Sequence, residues 1–182
     1  VSLAATYTFG NDVTGISFSP DGAYIAVTYG AGAFFTLLDH TTPGSVSLAA
    51  TYNLVDEGEG VSFSGSGDYI AVLNRSSPGL TLLDHTTPGT VSFSTSYNVA
   101  GLSNTLGDVS FSNDDNYIAV ATQTSAFFTL LDHTTPGSLS LAATYNPGDL
   151  GQSVSFGPTG DYIAFGTQRN GAFVVLLDHT TP

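Results

Sequence analysis

The chain repeats itself four times, and that periodicity limits its possible folds more than any other feature. LLDHTTP occurs at 37–43, 82–88, 130–136 and 176–182. Aromatic landmarks keep step with it. The phenylalanine of SFS or SFG falls at Phe18, Phe63, Phe111 and Phe156, and the tyrosine of YIA at Tyr24, Tyr69, Tyr117 and Tyr162. Both series advance by 45, 48 and 45 residues. A period of this size marks one supersecondary unit per repeat, which buries its apolar surface only by stacking on its neighbours.

Each unit reads as four short strands, because β-branched and aromatic runs are interrupted by Gly, Pro, Asn and Asp about every 8–12 residues. In the first unit they are GISFS (15–19), YIAVTY (24–29), FFTLLDH (34–40) and, after the turn TTPG (41–44), VSLAATY (46–52). YIAV and FFTLL are apolar at consecutive positions, so both faces of their sheet must be covered. A two-layer sandwich wets one face of each sheet, whereas a propeller presses every blade between two others. The fourth strand is mixed, with Ser47, Thr51 and Ser92, as suits an outer edge. The expected fold is therefore all-β: a β-propeller of four tandem four-stranded antiparallel blades, with repeats at about 1–44, 45–89, 90–137 and 138–182.

The ends are complementary. VSLAATY (1–7) is an outer strand with no third strand before it, and AFVVLLDH (172–179) is a third strand with no outer strand after it. Strand 1–7 is expected to complete the last blade, since an unpaired edge recruits a partner. Three closures stay open: a four-bladed ring, a ring completed by a second chain, or an array continued by flanking repeats. The absence of methionine and the partial repeats at both ends are what a piece excised from a longer chain would show.

SFSPDGAYIAV (17–27), followed by LLD (37–39), resembles the core of a WD-repeat blade, and is also similar to the lactonase-like propeller repeat. The WD-repeat pattern ends its third strand in Trp-Asp, whereas the matching positions here are Leu38-Asp39, Leu83-Asp84, Leu131-Asp132 and Leu177-Asp178, and the family's Gly-His pair is absent. The resemblance implies a propeller scaffold; its lactonase-like branch implies hydrolysis as an alternative function.

Composition narrows the partners. The chain has no lysine, two arginines (Arg75 and Arg169), fifteen carboxylates and a net charge of −13, so phosphate backbones and anionic lipid heads are repelled. Neither nucleic acid nor membrane insertion is expected; the longest apolar run, AFVVLL (172–177), is far too short to span a bilayer. Without cysteine there is no disulfide, thiolate zinc site or thiol nucleophile. Charged residues make up 9% of the chain against about 25% in an average domain, leaving an exterior of Ser, Thr, Gly and Asn. Such a surface favours an extracellular or surface-displayed setting.

The four copies differ from one another on one side only. The turns after the first and third strands are nearly constant. The loops before the first strand, TFGNDVT (8–14), NLVDEGE (53–59), NVAGLSNTLG (98–107) and NPGDLGQ (146–152), are not, and neither are those after the second: YGAGA (29–33), NRSSPG (74–79), TQTSA (122–126) and TQRNGA (167–172). Rigid elements displaying diverse loops suit recognition. The candidate ligand-binding residues are Asp12, Tyr29, Asp56, Glu57, Glu59, Arg75, Gln123, Gln168, Arg169 and Asn170, with a protein or glycan as ligand.

The repeated Asp-His pair invites a catalytic or metal reading, but adjacent strand residues point to opposite faces. Asp39, Asp84, Asp132 and Asp178 are read instead as turn formers accepting backbone N–H bonds. No histidine lies outside these turns, so no catalytic residue, metal or cofactor is assigned and no enzyme is expected. Asp56, Glu57 and Glu59 lack the EF-hand spacing and read as a solvated acidic loop. Asn74-Arg75-Ser76 fits the glycosylation acceptor pattern. A recognition module and a self-associating building block, joined through the terminal strands, are the two functional expectations.

Overall fold

The computed structural model describes residues 1–30, 35–99, 107–123, 127–168 and 173–180, and among them every regular element is a strand. The first sheet contains β1 (Val13–Phe18), β2 (Tyr24–Tyr29), β3 (Phe35–Asp39) and β4 (Ser47–Tyr52). The second contains β5 (Gly58–Phe63), β6 (Tyr69–Asn74), β7 (Gly79–Asp84) and β8 (Ser92–Asn98). The third contains β9 (Gly107–Phe111), β10 (Tyr117–Thr122), β11 (Phe128–Asp132) and β12 (Ser140–Tyr145), and the fourth β13 (Leu150–Phe156), β14 (Tyr162–Gln168) and β15 (Val174–Asp178). Strand order follows chain order and all pairs are antiparallel. The first strands β1, β5, β9 and β13 neighbour one another in sequence and form the inner side, as the propeller reading requires.

Apolar seams between sheets hold the blades together. Ala26, Phe35 and Leu37 of the first blade meet Val61, Ile70, Val72 and Leu83 of the second. Ala71, Leu73, Leu80 and Leu82 of the second meet Val109, Ile118, Val120 and Leu131 of the third. Ala119, Ala121, Phe128 and Leu130 of the third meet Val154, Ile163 and Phe165 of the fourth. Alternate residues of one strand thus enter two different seams, Ile70 and Val72 the first and Ala71 and Leu73 the second, which is why YIAV is apolar without a break. Each buried Leu, Ile or Phe contributes about 1.5–3 kcal/mol.

The seams are pinned at one recurring point. The N–H of Phe63 donates to Ser17 Oγ (3.3 Å), that of Phe111 to Ser62 Oγ (3.0 Å) and that of Phe156 to Ser110 Oγ (3.2 Å). Each pairing of a third with a fourth strand carries one extra residue at the same place, between Leu37 and Leu38, Leu82 and Leu83, and Leu130 and Leu131 of the third strand.

The sequence predicts two covered faces for every blade; the middle two have them, while the outward face of the first is covered at β2 and β3 but not at β1, and that of the fourth is open. The first blade leaves Ile16 (65% exposed) and Phe18 (56%) in solvent, and the fourth leaves Val174 (75%) and Leu176 (64%). Residues 1–7, expected to complete the fourth blade, are in no strand, and among the described residues β15 has no partner on its outer edge. The cause is local. Tyr7 and Phe9 pack on the outward face of the first blade, beside Ile25, Val27, Tyr29 and Leu38, with Phe9 and Tyr29 ring centres 5.1 Å apart. The described structure is an arc of four blades with two open ends.

Candidate functional site

The side carrying the constant turns is closed by its own hydrogen bonds. Asp39 Oδ1 accepts from the N–H (2.8 Å) and Oγ1–H (2.6 Å) of Thr41. The same pair of bonds recurs from Thr86 to Asp84, from Thr134 to Asp132 and from Thr180 to Asp178. The threonine hydroxyl first, and the amide second, hold all four carboxyl groups below the ordinary aspartate value. The following TTPG places Gly44, Gly89 and Gly137 at φ of 76°, 77° and 73°, the left-handed position of a type II turn after proline.

The histidines are engaged too. Nδ1 of His40, His85, His133 and His179 lies 2.9, 2.8, 2.7 and 3.0 Å from the carbonyl oxygens of Gly22, Gly67, Asp115 and Gly160. A carbonyl only accepts, so Nδ1 carries the proton in each. Each ring also meets the phenylalanine of its own blade edge-on, and the last three meet the tyrosine of the preceding blade: Tyr24 with His85, Tyr69 with His133, Tyr117 with His179, at 5.0, 4.9 and 4.5 Å. These side chains are joints between blades.

At the inner ends of the same turns, Phe18, Phe63, Phe111 and Phe156 converge with Pro20 and Pro158 around an open depression of about 340 Å³. The sequence reading treats this side as uniform and misses the depression. Its signal was present in the repeated SF pair, but convergence of four copies follows only once the blades are known to curve about a common axis.

The variable side divides into two polar groups. Between the first two blades, Arg75 forms ion pairs with both Glu57 and Glu59, and its N–H donates to the Glu57 carbonyl at 2.9 Å. Glu59 is buried, and burial raises its pKa against the opposing pull of Arg75. Asp56 accepts from the Glu57 N–H at 2.8 Å. The expected solvated acidic loop is thus a charge-paired corner, and Arg75 is a brace rather than a free cation. Between the last two blades, Gln152 and Gln123 both donate to Gln168 Oε1, the latter at 3.4 Å.

Two sequence expectations change here. Tyr29 is buried and its hydroxyl shares a hydrogen bond with Thr36 Oγ1 at 3.1 Å, so it is a core residue rather than a ligand contact. Asn74 is fully buried and donates to Thr81 Oγ1 at 2.8 Å, which leaves no room for a glycan in the folded chain. Asp12 is exposed on this side and its carbonyl accepts from the Gly30 N–H at 3.1 Å. Arg169 and Asn170 lie outside the described residues.

Four radial antiparallel sheets with inner strands in chain order settle the architecture, and the family described as WD domain, G-beta repeat matches residues 3–32. The chain has the β-propeller fold. Its fold is similar to Kuenenia stuttgartiensis hydrazine synthase (TM-score 0.72, 16% identity, covering 97% of this chain and 49% of that one). It is also similar to the β-propeller domain of Cps50 (Swd1) from Myceliophteria thermophila (0.70, 12%, 91% and 53%). A third likeness is to a candidate 6-phosphogluconolactonase of Bacteroides uniformis (0.78, 14%, 93% and 54%). This propeller spans about half the length of each. Identities this low establish the architecture and nothing of activity. No curated protein matches the sequence.

Proposed function

We propose that this propeller is a non-catalytic scaffold that binds a protein or glycan through its variable loop side, on a secreted or surface-displayed molecule. The observation that carries the reading is the division of labour between the two sides. The repeated Asp, Thr and His are engaged in turn and blade-joint contacts, while the polar residues that differ from copy to copy gather on the other side. WD-repeat-like propellers suit such a role in general. Lactonase-like hydrolysis rests on fold likeness alone, and the histidines it would call on already donate Nδ1–H to carbonyls.

Asp12, Gln123 and Gln168 are the informative positions, because Arg75 and Glu59 brace each other and their removal would disturb the fold. The test is a glycan array read with the parent chain and with Asp12→Ala/Gln123→Ala/Gln168→Ala. Binding of the parent that is lost at least tenfold in the variant, at an unchanged melting temperature, supports the loop side. Binding that the variant retains removes it. A second reading, a self-associating building block, is favoured by the two exposed apolar ends of the arc.

A further inference from the structure

We infer that the partner of each open end is the opposite end of a second copy, two chains closing an eight-bladed ring in which residues 1–7 of one form the missing outer strand beside β15 of the other. This rests on the self-association reading and narrows it to one occupant, one stoichiometry and one register.

Every seam inside the chain is built from the same parts, and the two ends hold the unmatched halves of one more. The N–H of Phe18 and the Oγ of Ser155 stand where Phe63 and Ser17, Phe111 and Ser62, and Phe156 and Ser110 bond in the three formed seams. Tyr162, 45% exposed, lacks the histidine that Tyr24, Tyr69 and Tyr117 each have, and His40 lacks the preceding blade's tyrosine. A Cβ on Gly89 would sit 3.4 Å from the Tyr24 hydroxyl and one on Gly137 3.7 Å from that of Tyr69, yet one on Gly44 would meet nothing within 4 Å. Tyr162 of a second copy is the missing neighbour of both His40 and Gly44. Val174 and Leu176 are likewise the counterparts of Phe35 and Leu37, which are fully buried in the first seam.

The missing strand has an observed template. VSLAATY (1–7) is identical to VSLAATY (46–52), whose last six residues are β4. β4 pairs with β3 as Phe35 with Tyr52, Thr36 with Thr51, Leu37 with Ala50, Leu38 with Leu48 and Asp39 with Ser47. Transferred to β15, the register is Val174 with Tyr7, Val175 with Thr6, Leu176 with Ala5, Leu177 with Leu3 and Asp178 with Ser2, Ala4 being the extra residue. The residues opening the outer strands of the second and third blades, Val91 and Leu139, pack into the preceding seams. The corresponding space in the third seam is an open cavity of about 410 Å³, lined by Tyr117, Leu130, Ala142, Ala143 and Leu177 among others. Val1 is the residue this register delivers to it.

Closure in trans follows from where segment 1–9 already lies. Tyr7 and Phe9 are the counterparts of Tyr52 and Leu54, and they pack on the outward face of the first blade as Tyr52 and Leu54 pack in the first seam. The segment therefore occupies the place of an outer strand belonging to a blade before the first, at the end of the arc away from β15. A head-to-tail contact closes when its rotation divides a full turn. The four blades overlay 53% of the chain of a β-propeller domain, so two copies are the smallest number that can complete such a ring, and eight blades lie within the range these folds adopt.

The test uses a chain without native cysteine. Thr6→Cys/Val175→Cys places two thiols at directly opposed strand positions, whose Cα separation of about 4.5–5.5 Å suits a disulfide. The expected result is a two-chain mass by light scattering at about 50 µM and, after oxidation, a covalent two-chain species on a non-reducing gel. Separate Thr6→Cys and Val175→Cys chains, mixed, give the same covalent pair. An intrachain disulfide with single-chain mass overturns closure in trans. Larger assemblies without the disulfide overturn this register and stoichiometry while sparing self-association, and a single chain with no disulfide overturns both. Loss of glycan binding on the loop side touches neither, because the seam lies elsewhere.

Discussion

The six residues SLAATY occur three times, and the structure gives them three different environments. At 47–52 they form β4, with Ala49, Ala50 and Tyr52 half-buried against the neighbouring blade. At 140–145 they form β12 with the same pairing to the third strand, yet every residue is exposed. At 2–7 they pair with nothing among the described residues. Intrinsic preference is identical in all three, so the difference lies in the neighbours: β4 has a complete blade beside it, β12 has a blade without its outer strand, and residues 2–7 have no third strand. In a stacked-repeat fold stability belongs to the seams as much as to the units.

Substitutions that enter a formed seam and its open counterpart break or sharpen that comparison. The largest difference is expected between Leu82→Ala and Leu176→Ala. Leu82 is fully buried, so its truncation costs about 2–5 kcal/mol in urea unfolding. Leu176 is mostly exposed, and in the dilute single chain its truncation stays within about 0.5 kcal/mol. Equal costs would show that the fourth blade is already covered in solution.

Next come the two outer strands. Ala50→Glu forces a carboxylate into the covered side of β4 and costs about 1–3 kcal/mol, whereas Ala143→Glu is within about 0.5 kcal/mol in the single chain. The same Ala143→Glu obstructs the cavity beside the third seam, so light scattering should show the two-chain species diminished although the fold is unharmed. A thermal melt that distinguishes neither variant from the parent would mean that both copies of SLAATY are equally bare.

A smaller effect attaches to the turns. Asp84→Ala removes the acceptor of two hydrogen bonds from Thr86 and lowers unfolding free energy by about 1 kcal/mol, read by denaturant titration. The turn aspartates, held below 3.8, contribute stability present above that value and lost as pH falls through their folded-state pKa. Asp108 and Glu59 have the opposite sign. Burial, the leading cause in both, lifts them above 3.8 and 4.5, so their contribution is present at low pH and lost as pH rises through the folded-state values. The smallest expected effect is therefore a melting temperature that falls by about 2–4 °C from mildly acid to neutral pH, with a shallower slope in Asp108→Asn. A slope unchanged in that variant removes Asp108 from the account.

Strands were the most legible part of the sequence. YIAVTY at 24–29 is β2 as read, because a run that is apolar on both faces, bounded by SPDG and Gly30, has few other uses. The side of the molecule that varies was legible too, since four internal copies show where difference is tolerated. The contacts on that side were not. Arg75 looked available because charge was counted along the chain, but β5 pairs Gly58 with Asn74, and that register sets Arg75 beside Glu57 and Glu59. Tyr29 looked exposed because the loop after it was counted from β2, and Phe9 arrives on it from a segment expected elsewhere. The Ser–Phe and Tyr–His joints were visible as repeated letters, while their bridging role required the sheets to be placed side by side.

The brace at Arg75 also governs how two copies approach each other. With that guanidinium neutralised by two carboxylates, the described surface retains no unpaired lysine or arginine, and each chain carries a formal charge of −13. Two such molecules repel at long range, and the apolar ends attract only at contact. Dissolved salt shortens the repulsion to about 8 Å at physiological ionic strength and leaves the apolar contact intact, so union of the copies strengthens as salt is added, opposite to the behaviour of partners drawn together by unlike charge.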